Sequence, residues 1–276
     1  MRVPKGFLLI VFVGLSSISS AQDSTASVPE SRHWKIPLDS LRTIPQTAFT
    51  VGEHLIFDVG FSFITAGEGS FEVFSADSIQ GRECVRIAFT VKSVPSFSWI
   101  YKVDDLYETI LDAKGVFPWK FDQRVREGSY RYDFSAEFDQ LRGVAKSKAK
   151  TIHVPPYVND VVSAFYYVRT MDFSQSRVGQ KYLLYNFFKD STYQLAVKFL
   201  GRQQIKVDAG TFNTIIVEPL IQEGGLFKSN GRVLLWLTDD ERKIPVRVST
   251  KVIVGSIDAD LREYHGVILP INAKVK

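Results

Sequence analysis

The chain has 276 residues, a formal net charge of +4 at pH 7 and 45% hydrophobic residues, which is enough to form a sizeable core. With 34 basic and 30 acidic residues, the chain lacks the excess of positive charge that is typical of a nucleic-acid-binding protein. We therefore expect no nucleic-acid partner. The single cysteine, Cys84, excludes an intrachain disulfide, so the core has to stabilise the fold.

The first 21 residues have the pattern of a secretory signal peptide. Arg2 and Lys5 precede an apolar run over residues 7–15, and small residues lead to Ala21, after which we expect cleavage. The apolar run is much shorter than the roughly 20 residues that a helix needs to span a bilayer. We therefore expect a periplasmic or secreted protein that is not a transmembrane protein once the leader is removed. An exported chain without disulfides is typical of a bacterial envelope.

Composition divides the rest of the chain into three parts. Residues 22–48 are polar and contain three prolines, which predicts a loosely packed N-terminal arm. Residues 49–266 carry strand patterns and predict a single β-rich domain, and residues 267–276 are expected to form a tail. Because a helical pattern interrupts the strands, two small barrels, one on each side of the helix, are the alternative.

Alternation of apolar and polar residues predicts β-strands on both sides of the helical segment. The first strand has Leu55, Phe57 and Val59 on one face and leads to an expected turn at residues 66–69. A hairpin around Gly128 has the clearest alternation. Its first strand is expected to place four apolar residues on one face: Phe117, Trp119, Phe121 and Val125. Many short strands separated by turn residues predict a mainly β fold, a curved antiparallel sheet or a barrel or half-barrel of about 12–14 strands.

One buried central helix is predicted over residues 160–172. Its apolar residues recur at spacings of three and four, and its other sides are apolar too, so the helix has to be buried. Asn159 or Asp160 is expected to cap its first turn. Arg169 lies among apolar neighbours and has to reach water or pair with a carboxylate, and a structural ion pair is more common than a ligand anchor.

Sequence motifs of enzymes are missing. The chain has no Gly-x-Ser-x-Gly elbow and no Gly-x-x-x-x-Gly-Lys loop, and its four histidines are scattered, so we predict no catalytic residue, no metal site and no cofactor. Three acidic clusters could hold a cation or supply an acid and a base: Asp104-Asp105 with Glu108, residues 239–241, and residues 258–263. Carboxylates in turns and at strand ends are usually solvated or cap amides, and we adopt this interpretation. The enzyme alternative requires two of them to converge in a pocket.

Short motifs along residues 49–261 carry a resemblance to a known family: Val51-Gly52-Glu53-x-Leu55, Ala66-Gly67, Asp105 with Glu108, Gly115-x-x-Pro118, Glu127-Gly128-x-Tyr130, Asp160-x-x-Ser163-Ala164-x-Tyr166-Tyr167-x-Arg169, Gly210-x-Phe212, and Trp236-x-Thr238-Asp239-Asp240 with Pro245. They resemble an uncharacterised family of exported bacterial proteins, a domain of unknown function whose members are secreted or periplasmic. The resemblance implies no activity, cofactor or catalytic residue. A helix on the concave face of a curved sheet is also similar, at the level of the fold, to the half-barrels of lipoprotein carriers.

These patterns favour a non-catalytic protein of the cell envelope. The first hypothesis is that the concave sheet binds an apolar or amphipathic molecule, such as a lipid or the acyl chain of a lipoprotein. Five residues are predicted to line such a cavity: Phe165, Tyr166, Arg169, Trp119 and Phe121. The same side chains could instead fill the core. The alternative function is envelope assembly through a protein partner, contacted by an edge strand or the N-terminal arm.

Overall fold

A computed structural model describes residues 35–61, 64–221, 232–251 and 255–275. The predicted signal peptide and the first part of the predicted arm lie outside these residues. The described residues contain two α-helices, α1 (Pro95–Ser98) and α2 (Val161–Arg169). They also contain fifteen strands: β1 (His54–Phe61), β2 (Ile64–Ile79), β3 (Arg82–Ser93), β4 (Asp104–Asp112), β5 (Pro118–Glu127), β6 (Tyr130–Asp139), β7 (Val144–Ser147), β8 (Thr151–His153), β9 (Lys181–Phe188), β10 (Ser191–Val207), β11 (Gly210–Ile221), β12 (Val233–Thr238), β13 (Pro245–Lys251), β14 (Ser256–His265) and β15 (Lys274–Val275).

The strands form one antiparallel sheet. Their order is β8-β7-β6-β5-β4-β3-β2-β1-β14-β13-β12-β11-β10-β9, and β15 pairs with β11. Because β1 lies beside β14, strands from before and after α2 belong to the same sheet. The sheet is not closed, and within the described residues β8 and β9 are its two end strands. The predicted mainly β fold with a curved antiparallel sheet is confirmed, and the short strands β8 and β15 bring the count slightly above the expected range.

The turn predicted at residues 66–69 is wrong. Strand β2 already begins at Ile64, and Gly60 of β1 faces Thr65 across the hairpin, next to a shift in register. A Cβ added to Gly60 would lie 2.4 Å from the Ile64 carbonyl oxygen, so only glycine allows this close approach. Gly69 lies inside β2 and pairs with Phe57 of β1, so this glycine belongs to a strand and not to a turn.

Helix α2 begins with a capping box. The Asp160 carboxylate accepts the Val162 and Ser163 backbone N–H groups at 2.7 and 2.9 Å, and the Asp160 N–H donates to Ser163 Oγ at 2.8 Å. The helix ends at Arg169, a little earlier than predicted, and packs against β4 and β9. The predicted buried central helix is confirmed. No helix in the described ranges is long and apolar enough to cross a membrane.

The segment that precedes α2 covers the end strand β9. The Asn159 N–H donates to the Tyr185 carbonyl at 2.9 Å, and the Phe187 N–H donates to the Asn159 carbonyl at 2.7 Å. Across the gap between β6 and β9, the rings of Phe138 and Phe187 meet with centroids 5.5 Å apart. The two halves of the sheet are therefore bridged by this segment and by aromatic side chains.

Residues on both sides of the predicted domain also pack on the sheet. In the arm, the Ile36 N–H donates to the Leu141 carbonyl at 2.9 Å, and Leu41 is buried. In the predicted tail, Ile271 and Ala273 are buried, and β15 pairs with the start of β11. One cluster of buried apolar residues extends from Ala48 to Ile271.

The two ends of the sheet differ in the elements that lie there. At the hairpin end, β3 ends at Ser93, β4 begins at Asp104, β5 ends at Glu127 and β6 begins at Tyr130. At the opposite, helix end, β1 begins at His54 and the last turn of α2 lies close by. We call the face of the sheet that contacts α2 the inner face.

Candidate functional site

Arg169 and Glu53 form a buried ion pair at the helix end. Arg169 Nη1 donates to Glu53 Oε1 at 2.6 Å, Nη2 donates to Oε2 at 2.8 Å, and the two side chains are 0% and 1% exposed. The Tyr166 hydroxyl donates to Glu53 Oε1 at 3.2 Å. Burial acts to lower the pKa of Arg169, but the Glu53 carboxylate raises this pKa above its ordinary value. The ion pair expected for Arg169 is present, and it joins α2 to the start of β1.

The five residues predicted to line a cavity lie in different places. Three are fully buried: Phe121, Tyr166 and Arg169. Phe165 is half-buried and stacks on Phe71, with ring centroids 5.0 Å apart. Trp119 belongs to a separate buried cluster with Phe117. The structure therefore brings Phe165 and Tyr166 onto the main core and places Trp119 apart from them.

The face expected to hold Phe117, Trp119, Phe121 and Val125 together is split in two. Phe117 lies before β5, and Trp119 lies where the register of β5 against β4 shifts. Phe121 and Val125, beyond the shift, belong to the main core. The shift is a property of strand pairing, so alternation within one strand could not reveal it.

One row of inner-face side chains crosses the sheet from β2 to β6. Each member lies opposite the next: Phe71, Phe89, Tyr107, Gln123 and Phe134. The ring centroids of Phe71 and Phe89 are 4.4 Å apart, and those of Phe89 and Tyr107 are 5.8 Å apart. Since Phe165 of α2 stacks on Phe71, the row connects the helix to polar residues of β4 and β5.

Four polar side chains occupy inner-face positions of β4 and β5. We call them the polar strip: Asp105, Tyr107, Gln123 and Glu127. Their exposed fractions lie between 1% and 5%. No group in the described part of the chain makes a hydrogen bond to the Tyr107 hydroxyl, Gln123 Oε1 or Glu127 Oε1. A buried polar atom without a partner costs about 1–3 kcal/mol, and three such atoms in one strip make it the candidate binding site.

The two carboxyl groups of the polar strip influence each other's ionisation. Burial, and then the negative charge of the Asp105 carboxylate, raise the pKa of Glu127 to about 8. Burial also raises the pKa of Asp105, although the Arg126 N–H donates to Asp105 Oδ1 at 2.7 Å and acts in the opposite direction. The pKa of Tyr107 is raised well above its usual value, by burial and by both carboxyl groups. At neutral pH Glu127 is therefore mostly protonated.

Aromatic and apolar side chains surround the polar strip at the hairpin end. On the inner face, Phe134 and Tyr132 of β6 are only half-buried, as is Phe165. In the segment between α1 and β4, Trp99 is 81% exposed and Ile100 is 44% exposed. Apolar surface that is still accessible next to buried polar groups is what an amphipathic ligand requires.

The other acidic clusters serve the fold. Asp240 accepts the Thr238 hydroxyl at 2.8 Å and the Arg242 N–H at 3.0 Å, so it orders the turn between β12 and β13. Asp260 pairs with Arg247 at 2.5 Å. The described residues contain no group of three or more histidine, cysteine or acidic residues that could hold a metal ion.

The acidic cluster expected around Asp105 is divided by the sheet. Glu108 lies on the outer face, where it pairs with Arg86 at 2.5 Å. Tyr107 and Gln123 were not predicted as site residues. Gln123 could have indicated the site, because it is a polar residue at the alternating position between Phe121 and Val125, where an apolar residue is expected.

Comparison with known proteins places most of the chain in one family model. Residues 56–262 match the model described as a protein of unknown function, DUF3108. The chain is similar to the crystal structure of a β-barrel-like protein of the domain of unknown function DUF1849 from Brucella abortus, with a TM-score of 0.50 and 12% identity over 79% of this chain and 98% of that chain. At that identity the likeness shows the fold alone. A hypothetical protein from Chlamydia trachomatis, with a TM-score of 0.37 and 8% identity over 82% of this chain and 92% of that chain, is too distant to support an argument. No curated protein matches the chain.

Proposed function

The chain belongs to the DUF3108 family of proteins of unknown function, and we propose that it is a non-catalytic protein of the cell envelope that holds an amphipathic molecule. The molecule lies on the inner face of the sheet at the hairpin end. One observation carries this proposal: half-buried aromatic rings adjoin a buried polar strip, three of whose atoms have no hydrogen-bond partner among the described residues.

The aromatic side of the site suits an apolar body. Phe134 contacts Phe121 and Phe187, with ring centroids 6.4 and 6.2 Å apart, and its ring keeps some solvent exposure. Covering such surface contributes roughly 25 cal/mol for each Å² of apolar area removed from water. An alkyl or acyl chain of moderate length would lie along the row from Phe134 towards Phe165.

The polar side of the site suits a head group. Tyr107 and Gln123 face each other across β4 and β5, and Asp105 and Glu127 lie nearer to the hairpin end on the same strands. A head group with hydrogen-bond donors would satisfy the oxygen atoms that lack partners, which recovers part of the cost of burying them. The combination of both sides gives the site its amphipathic character.

The assignment to the cell envelope rests on the leader pattern of residues 1–21 and on the resemblance to exported proteins. Intact-complex mass spectrometry of protein purified from its native envelope tests location and ligand together. We expect a species whose mass exceeds that of the chain without residues 1–21 by the mass of one amphiphile. A protein that retains the leader, or one that carries no bound molecule, would contradict the proposal.

A matched pair of variants tests where the ligand lies. Phe134→Ala removes a ring from the inner face, and Ser135→Ala changes the next residue, which is exposed on the outer face of β6. We expect Phe134→Ala to lose most of the bound amphiphile and Ser135→Ala to retain it, with circular dichroism confirming that both fold. If the two variants retained equal amounts of amphiphile, the inner face would be excluded as the binding site.

A second candidate function is assembly with another envelope protein. Strand β7 pairs only with Ala136–Asp139, so within the described residues the first half of β6 has no strand on that side. A strand from a partner could add there. Crosslinking in cells from Asp133, an exposed residue of that half, tests this alternative, and a specific protein adduct in place of a bound amphiphile would favour it.

A further inference from the structure

The polar strip has the features of a binding site for one kind of head group. We infer that it recognises a primary ammonium group on an apolar chain, and that binding releases one proton from the Asp105–Glu127 pair. This inference rests on the proposed function, because the ammonium group is the head of the same amphipathic ligand.

The hydrogen-bonding groups of the strip match an ammonium group in kind and number. The atoms without partners are the Tyr107 hydroxyl, Gln123 Oε1 and Glu127 Oε1, and each of these oxygens can accept a hydrogen bond. A primary ammonium group has three N–H donors and no acceptor. An ionised carboxylate or phosphate head group offers only acceptors, so it could not donate a hydrogen bond to these oxygens.

The carboxyl pair has no cation of its own in the described residues. The nearest arginines on β5 are engaged on the other face of the strand, Arg124 with Asp104 at 3.3 Å and Arg126 with Asp133 at 2.7 Å. Buried carboxylates are usually paired with a cation, as Glu53 is with Arg169 in this same protein. Asp105 and Glu127 are buried to a similar extent without such a partner.

The proton balance follows from the protonation of Glu127. In the free protein Glu127 holds a proton at neutral pH. An ammonium group that arrives with its own charge favours two carboxylates, so the O–H bond of Glu127 breaks and its proton passes to solvent. The other titratable or charged groups that interact with the pair include Asp104, Arg124, Arg126, Tyr101, Tyr107 and Tyr130.

Three probes with the same alkyl chain length separate the contribution of the positive charge from that of the N–H donors. Dodecylamine has a charged head with three N–H donors, dodecyltrimethylammonium has the charge without donors, and dodecanol has neither a charge nor three donors. Isothermal titration of the full mature protein, below the critical micelle concentration, gives the affinity of each probe. We expect dodecylamine to bind at least about tenfold more tightly than the other two, equivalent to about 1.4 kcal/mol.

Isothermal titration in two buffers of different ionisation enthalpy measures the number of protons that are released when a probe binds. At pH 7 we expect dodecylamine to release close to one proton, and at pH 9.5 much less, because Glu127 is then already ionised in the free protein. Dodecanol should release none at either pH. Dodecylamine binding without proton release at pH 7 would overturn the inference.

Variants of the strip complete the test. Glu127→Gln and Tyr107→Phe each remove one acceptor and should reduce the preference for dodecylamine over dodecyltrimethylammonium several-fold. Glu137→Gln, at an exposed position of β6, is the control for the loss of one carboxylate and should keep the preference. If Glu127→Gln does not fold, Tyr107→Phe and the proton count decide.

The outcomes separate the inference from the proposed function. Equal binding of all three probes, all lost in Phe134→Ala, would overturn the ammonium inference and leave the proposed function standing. Binding of none of the probes, together with no amphiphile on the purified protein, would overturn both.

Discussion

Arg169 and Glu53 lie 116 residues apart in the chain and form a bidentate ion pair with both side chains buried. Arg169 Nη2 also donates to the Ala48 carbonyl at 2.8 Å. The rings of Tyr166 and Phe49 also contact the guanidinium group, with their centroids 4.8 and 5.8 Å from Arg169 Cζ. The pair therefore connects α2 to the residues that lead into β1.

Removing one partner of this pair should destabilise the protein strongly. Arg169→Met leaves the Glu53 carboxylate buried without its cation, and we expect a loss of about 3–5 kcal/mol in the free energy of unfolding. The double variant Arg169→Met with Glu53→Leu removes both charges and should cost much less than the sum of the two single changes. Urea unfolding of the four proteins measures the coupling.

The more exposed pair of Arg247 and Asp260 provides the control. Its side chains are 29% and 34% exposed, so Arg247→Met should cost about 1 kcal/mol or less. A coupling near zero for Arg169 and Glu53 would contradict the account of the helix end.

The Asp105–Glu127 pair predicts how stability depends on pH. The pKa of Glu127 is about 8 in the folded protein and about 4.3 in an unfolded chain, so the folded state binds the proton more tightly. Stability from this group is therefore fully present below about pH 4 and is lost as the pH rises through about 8, by an amount on the order of 5 kcal/mol. Chemical unfolding at several pH values measures the slope.

Glu127→Gln should flatten this slope, because the amide does not titrate. Glu137→Gln, a change at an exposed position of β6, should retain the slope of the original protein. A Glu127→Gln variant whose stability falls between pH 5 and 8 as steeply as that of the original protein would show that other groups cause the loss.

The cap of α2 also makes a direct prediction. Asp160 accepts two N–H groups of the first turn and the Thr109 hydroxyl at 2.8 Å, so Asp160→Ala should lower the free energy of unfolding by about 2 kcal/mol. Asp172→Ala, at an exposed carboxylate that accepts the Ser174 N–H, should cost much less. Thermal unfolding of both variants measures the two losses of stability. Similar losses for Asp160→Ala and Asp172→Ala would argue against the capping role of Asp160.

Local patterns predict the elements of this fold well. The capping signal at Asp160 and the apolar spacing after it indicate α2 because both depend on neighbours within a turn or two. Alternation locates most strands for the same reason. The turn near Gly60 was missed because the decisive contact, with the Ile64 carbonyl, arises only when the hairpin has formed.

The candidate site depends on relationships that no single stretch contains. Tyr107 and Gln123 become neighbours only through the register of β4 against β5. Glu53 becomes the partner of Arg169 only when β1 lies next to the last turn of α2. Trp119 alternates correctly with Phe121, yet a shift in register moves it into a separate cluster.

Two aromatic residues from the predicted lining should now behave differently. Phe165 is half-buried beside Phe71, so Phe165→Ala should weaken dodecylamine binding several-fold. Trp119 lies in the separate cluster, and Trp119→Phe should leave binding unchanged. Isothermal titration of the two variants checks this, and the reverse order of effects would move the site to the Trp119 cluster.

The most direct measurement is nuclear magnetic resonance of the protein with bound dodecylamine. We predict intermolecular Overhauser effects from the alkyl chain to the rings of Phe134 and Phe165, and from the first methylene to the ring of Tyr107. Effects confined to exposed residues such as Trp99, or the absence of any, would contradict the claim that an amphipathic molecule is held on the inner face.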